Sequence, residues 1–344
     1  VDKECIKNKN FNLWVIGSPK GEGLSRTLVG SLGMGFHAAG YNTDSQLIFL
    51  VCSNTMSFYL SALILGLCLS AMGLGIFITM KIFRIPDITT DGSYTLGAAV
   101  TAVALMAGWP LPVVMAAVIS AGALAGILTG LVHTRLKIDA LLAGILVMTG
   151  LYSVNLSILG RSNIPLIDVQ SIFTALAVFE KPVYNELWVG LLFLGTLSAA
   201  LAYLLRTDFG LAMRATGNSE SMTRALGIDN DRMKITGLAI ANALTALSGF
   251  LVAQYQNFTD INMGIGIVLV GLGSVLIGDA LIQWLGVRRV WAQLLLILAG
   301  CILFQSVLAL ALSLGINPNL LKLITAVFVL AIVGIPRLAR RQLS

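Results

Sequence analysis

Nine stretches of about twenty apolar residues, joined by short polar connections, constrain this chain more than any other feature. They are 58–80, 91–108, 111–132, 139–160, 186–205, 233–254, 262–283, 290–312 and 319–335. A helix rises 1.5 Å per residue, so about 20 residues cross the roughly 30 Å hydrocarbon core of a bilayer. In lipid, only helices and closed barrels satisfy every peptide group internally. The expected fold is an all-α polytopic membrane protein of about nine transmembrane helices. Composition agrees: 57% of the residues are hydrophobic and 11% charged, against about 25% charged in a soluble chain. The second stretch is short and rich in Gly and Ala, and reads as a broken or partly re-entrant helix that protein must cover.

The basic residues orient these crossings. With Arg337, Arg340 and Arg341 on the cytoplasmic side, nine spans put Lys81, Arg84, Arg135, Lys137, Arg288, Arg289 and all of 206–234 on the same side. Only Arg161, Lys181 and Lys322 fall outside. Lys and Arg accumulate in cytoplasmic loops, so the net charge of +6 reads as topology, and no nucleic-acid partner is expected.

Residues 1–55 differ from everything after them. They lack a sustained helical or alternating period, and the apolar run Leu47–Cys52 is too short for a signal-peptide core. Met56 directly precedes the first long apolar stretch. Two expectations follow: an upstream extension to a protein whose translation begins at Met56, or an extracellular tail. In either case 1–55 is expected to have no fixed fold, and 56–344 forms the membrane domain.

An internal echo is also present. Thr90-Asp91 before the Gly-rich second stretch returns as Thr259-Asp260 before the Gly-rich run from Met263 to Gly278. The two copies start an odd number of spans apart, so they run in opposite directions, as the inverted repeats of transporters do. The interiors of the stretches hold almost no ionisable groups: Asp279 lies near the end of the seventh, Lys322 at the start of the ninth and His133 at the end of the third. A proton- or sodium-driven carrier keeps buried carboxylates along its ion path, each costing about 2.5–3.5 kcal/mol on insertion scales. Their scarcity argues against ion coupling. The sequence contains no His-Glu-x-x-His and no Gly-x-x-x-x-Gly-Lys-Ser/Thr, so neither a zinc protease nor a phosphate-cradling NTPase is indicated. Cys5, Cys52, Cys68 and Cys301 form no Cys-x-x-Cys pair and read as apolar fillers; no metal is expected.

The exception to this apolar character is 206–234, with five basic and four acidic side chains. It must lie in water. Asn218 or Ser219 is placed to cap a short helix with Glu220 in its first turn and Gly227 at its exit. A second start follows at Asp229 to Asp231, ahead of the apolar run from Met233. The short helix falls well below the roughly 12–15 residues at which an isolated helix becomes marginal in water, so something must hold it: the protein's own membrane surface or a partner.

Arg206, Thr207, Phe209, Gly210, Arg214, Ala215, Gly217, Gly227 and Ile228 resemble the ATPase-facing loop of ABC importer permeases of the branched-chain amino acid and ribose type. Ala225 stands one residue beyond the commonest spacing. The run Ile85-Pro86-Asp87-Ile88-Thr89-Thr90-Asp91-Gly92-Ser93-Tyr94-Thr95-Leu96-Gly97-Ala98-Ala99 resembles the subgroup of tryptophan and tyrosine uptake permeases. The resemblance covers about 56–335.

It implies a bacterial cytoplasmic membrane protein that pairs with a second copy of itself, two cytoplasmic ATP-binding subunits and an extracytoplasmic solute-binding protein. ATP and Mg would be used by the partner, with no cofactor bound by this chain and no enzymatic activity of its own. The coupling residues expected on this basis are Arg214, Glu220 and Arg224 as polar contacts, and Met222, Ala225 and Leu226 as the filling of an apolar notch. Gly217 and Gly227 flank them. For the solute path, the uncharged polar groups Asn155, Asn242 and Gln305 are candidates, together with Asp91, Tyr94 and Thr95. The alternatives are that Asn and Gln bond neighbouring helices and that Asp91 caps a helix. A stand-alone carrier for a small neutral solute and a non-transporting scaffold are the competing functional classes.

Overall fold

The computed structural model describes residues 43–167, 169–179, 181–314, 320 and 323–330, with side chains from Ser57 onward. Packing divides the chain into residues 1–51 and 52–344. Of the stretch expected to lack a fold, residues 1–42 lie outside the described residues, whereas helix α1 (Thr43–Ile76) begins within it.

Among the described residues, seven helices are long and apolar enough to cross a membrane. They are α1 with its π-helical continuation Phe77–Phe83, α3 (Leu111–Arg135), α4 (Ala140–Leu159), α6 (Pro182–Leu204), α9 (Asn230–Gln256), α10 (Ile267–Leu285) and α11 (Val290–Ser313). The second expected span is present as α2 (Thr89–Met106) but is not apolar enough to count with these seven. Of the ninth, only 320 and 323–330 are described, the latter helical. The short α5 (Ile172–Ala175) follows α4, and two helices, α7 (Asp208–Asn218) and α8 (Glu220–Ala225), lie between α6 and α9. Strands β1 (Asn163–Pro165) and β2 (Phe258–Asp260) pair antiparallel, with Ile164 opposite Thr259.

Glycine sets how closely the helices approach. On α3, Gly122, Gly126 and Gly130 face Ala243, Ala239 and Ile235 of α9, so the two run antiparallel and a Cβ at any of the three would collide. This is the small-residue stripe that lets membrane helices pack backbone to backbone. A Cβ on Gly97 would fall on the Ala246 carbonyl, and one on Gly249 on the Tyr94 carbonyl. With Ser93 bonded to Asn242, these contacts make α2 parallel to α9. Gly75 against Ala241, and Ser248 against the Cys68 carbonyl, make α1 antiparallel to α9. Gly271 beside Met72 and Ile76, with Asp279 beside Lys81, makes α10 parallel to α1. The pair α1–α2 therefore runs opposite to the pair α9–α10, the orientation expected of the sequence echo.

α2 begins inside the fold rather than at its edge. Asn242, which bonds Asp87 and Ser93 around the first turn of α2, lies twelve residues into α9, or about 18 Å from its start. α2 is wrapped by α3, α4 and α9, and nearly every residue from Thr89 to Leu105 is buried. This cover is what the Gly- and Ala-rich composition requires.

Candidate functional site

Two polar sites stand out, one exposed and one buried. In the exposed one each helix carries its own cap. The Thr207 hydroxyl accepts from Gly210 N–H at 3.4 Å, that of Ser219 from Met222 N–H at 3.4 Å, and the Asp229 carboxylate from Arg232 N–H at 3.2 Å. Gly227 closes α8 with φ of 80°, a left-handed conformation that glycine adopts at no steric cost.

α8, six residues long, is held by α9. Asn230 Nδ2 donates to the Glu220 carbonyl at 2.7 Å, Thr223 Oγ1 donates to Asn230 Oδ1 at 2.7 Å, and Lys234 Nζ pairs with Glu220 at 2.6 Å. The clamp leaves the opposite side bare: Met222 is 63% and Leu226 68% exposed, with Arg224 and Ala225 exposed beside them. Glu220 thus faces inward to Lys234. Arg214, on α7, lies away from this group and lines a separate cavity with Lys81, Arg84 and Arg288. Gly217 is a packing residue, because a Cβ there would overlap the Ile82 carbonyl at the end of the π-helical segment. That segment ends at Arg84, whose φ is 58°. Single π-helical turns concentrate at functional sites, and this one joins α7 to the end of α1.

The buried site corrects the expectation that the interior is nearly free of charge. Asp87 and Asp91 are both buried in the helix packing. Asp87 Oδ1 accepts from Thr89 N–H at 2.9 Å, and its Oδ2 from Asn242 Nδ2 at 2.8 Å. Asn242 Oδ1 in turn accepts from the Ser93 hydroxyl at 2.7 Å. Asp91 caps a helix, but not its own: its carboxylate accepts from Gly266 N–H at 2.9 Å and Val268 N–H at 2.8 Å. These are donors at the start of α10 that the helix itself leaves unpaired. A carboxylate there also meets the positive end of the α10 dipole. The sequence put Asp91 at the first position of the 91–108 stretch, as a solute-path group or a helix cap, because nothing local shows that the chain re-enters before α2. The run 85–91, with two carboxylates inside an otherwise apolar neighbourhood, was the available signal for Asp87.

The other expected path residues are distributed as follows. Tyr94 and Thr95 are buried, and Thr95 donates to the Asp91 carbonyl at 3.1 Å. Asn155 Nδ2 on α4 donates to the Gly92 carbonyl at 3.1 Å, and its Oδ1 has no partner among the described residues. Asp91, Tyr94, Thr95, Asn155 and Asn242 therefore gather around the start of α2. Gln305 is elsewhere: it lines a mainly apolar cavity of about 510 Å³ between α1, α10 and α11, together with Ser61, Tyr255 and Thr325. Lys81 pairs with Asp279, which also accepts from Gln283 at 2.9 Å. This contact ties the ends of α1 and α10 and was not anticipated.

The sequence profile described as the permease component of branched-chain amino acid transport systems matches residues 58–333. The chain belongs to this family. The permease is 39% identical over 277 residues to the tyrosine transport system permease protein of Clostridioides difficile, covering 80% of this chain and 90% of that one. It is 26% identical over 258 residues to the galactofuranose transporter permease protein of Escherichia coli, covering 72% and 70%. A solved inward-facing structure of a metal-chelate type ABC transporter aligns with a TM-score of 0.46 at 16% identity, over 88% of this permease and 92% of that chain. The protein is a multi-pass membrane permease of the ABC transporter class, as the apolar helices and the 206–234 segment indicated.

Proposed function

We propose that this permease is the membrane subunit of an ATP-driven importer for a small solute, and that α8 is where a separate ATPase grips it. The observation that carries this reading is the clamp: a helix too short to stand alone is fixed to the start of α9 while Met222 and Leu226 project into solvent. Exposed apolar side chains on a rigid polar segment mark an interaction site. Motion of α8 would pass to α9 through Asn230 and Lys234, and through α7 and Gly217 to the π-helical end of α1. The 206–234 segment and the C-terminus would face the cytoplasm of a bacterial inner membrane. The working assembly would hold a second copy of this chain, two ATP-binding subunits that use ATP and Mg, and an extracytoplasmic solute-binding protein.

For the solute we propose an amino acid, aromatic by likeness to the tyrosine permease. The cavity beside Gln305 suits it in kind, being mainly apolar with a few polar groups. A stand-alone ion-driven carrier is less well supported, since Asp87 and Asp91 both hold helix starts in place. The test is to purify the permease with its ATPase and compare the double variant Met222→Asp, Leu226→Asp. The expected result is loss of the ATPase from an intact, monodisperse permease. Undiminished ATPase retention, or tyrosine uptake by the lone permease in liposomes, would overturn the reading.

A further inference from the structure

The cavity that holds Arg214 lies apart from the face of α8 proposed to meet the ATPase. It measures about 440 Å³ and opens between the π-helical segment, α7 and the start of α11. Four cationic side chains from three separate parts of the chain line it: Lys81, Arg84, Arg214 and Arg288. The Lys81 ammonium is engaged by Asp279. Among the described residues no ion pair takes up Arg84, Arg214 or Arg288. Three arginines thus line one concavity without a carboxylate paired to them; Arg214 Nε donates to the Gly210 carbonyl at 3.4 Å.

The remaining wall is mainly apolar, with Phe77, Leu205 and Val290 among its residues and Asn218 and Gln293 as its polar members. Exposed aromatic side chains bracket it in sequence. Tyr203 stands two residues before Leu205, Trp284 four before Arg288, and Trp291 next to Val290, and all three are exposed, Trp284 to 82%. Tyr and Trp concentrate at the level of lipid headgroups, so the chain segments that wall the cavity run close in sequence to residues suited to that level. Guanidinium forks bind phosphate oxygens bidentately, and basic pockets between membrane helices take anionic headgroups.

We propose that this cavity is a site for the phosphate headgroup of an anionic phospholipid, with the apolar wall receiving the start of an acyl chain. Arg84 follows the π-helical segment, and Arg214 stands on α7 one turn before Gly217. The bound headgroup therefore bridges the joint at which α7 meets α1. A soluble phosphate would use the same arginines but not the apolar wall. A carboxylate of a partner protein would likewise leave the apolar wall unused.

Native mass spectrometry of the purified full-length permease, given equal amounts of phosphatidylglycerol and phosphatidylcholine, tests this. Preferential retention of phosphatidylglycerol is expected, weakened about fivefold for each arginine neutralised in the series Arg84→Gln, Arg214→Gln and Arg288→Gln. The triple lysine variant is expected to keep most of the preference, and Arg161→Gln, on the connection after α4, all of it. The lysine set guards against a glutamine variant that fails to fold. Equal retention of the two lipids by the wild type, or undiminished preference in a folded triple glutamine variant, would overturn the proposal. Displacement of the lipid by millimolar inorganic phosphate would reassign the site to a free anion and also overturn it.

Discussion

The 206–234 segment and the junction around Asp87 and Asp91 both use polar side chains to start helices, but over different distances. In the segment, Thr207, Ser219 and Asp229 each cap the helix that follows immediately, by bonds to the residue three further along. At the junction, Asp91 on α2 caps α10 across 175 residues, and Asn242 holds Asp87 across 155. Local caps let α7 and α8 keep their form when the body beneath them shifts. A cap borrowed from another helix makes the starts of α2 and α10 inseparable. The permease thus combines a surface segment whose helix starts are set by near neighbours with a buried junction that joins residues far apart in sequence, between the oppositely running pairs α1–α2 and α9–α10.

Substitutions separate the two regions by size of effect. The largest is expected at Gly97→Val, where added carbons meet the Ala246 backbone and overpacking costs about 3 kcal/mol or more. Membrane yield and the thermal midpoint in detergent should both fall, and a wild-type midpoint would refute close contact between α2 and α9.

Next, Asp91→Ala strands two N–H groups at the start of α10 and should cost about 2–3 kcal/mol, with Asp91→Asn milder because one acceptor oxygen remains. Equal behaviour of the two variants would show that the bonds to Gly266 and Val268 contribute little. Ser219→Ala should cost about 1 kcal/mol of local helix stability. This would be read as faster hydrogen exchange in α8 with an unchanged global midpoint. If it lowers the midpoint as far as Asp91→Ala does, the contrast between the regions is lost. Smallest is Glu220→Gln, which breaks a half-exposed pair with Lys234 worth less than about 1 kcal/mol. An effect much above that in thermal unfolding would mean that α8 is part of the cooperative core.

Legibility in the sequence follows the same division. The caps of α8 and α9 and the Gly227 exit were read directly, because each depends on neighbours within one helical turn; α7 and its Thr207 cap were not read. The apolar stretches revealed α1, α3, α4, α6, α9, α10 and α11 for a similar reason: twenty consecutive residues report on lipid whatever their tertiary partners. The inward turn of Glu220 toward Lys234, the separation of Arg214 from α8 and the packing role of Gly217 were not legible. Each depends on which helix lies opposite. Gly97, Gly126 and Gly249 showed as small residues, but only the fold matches them to Ala246, Leu238 and Tyr94. The polar residues proposed for a solute path were chosen by type, and five of the six cluster at the start of α2.

The sequence alone determined that this protein lives in a bilayer, that 206–234 is its polar interruption, and where α8 ends and α9 begins. Those properties are sums over adjacent residues: hydropathy across a span, or a hydroxyl three positions from the amide it caps. Only the tertiary structure decided that α2 and α10 start inside the fold and that Asp87 and Asp91 are buried. A buried carboxylate is tolerable only when donors converge on it, and the donors for Asp91 come from a helix start far along the chain, which no local pattern in residues 85–98 can display.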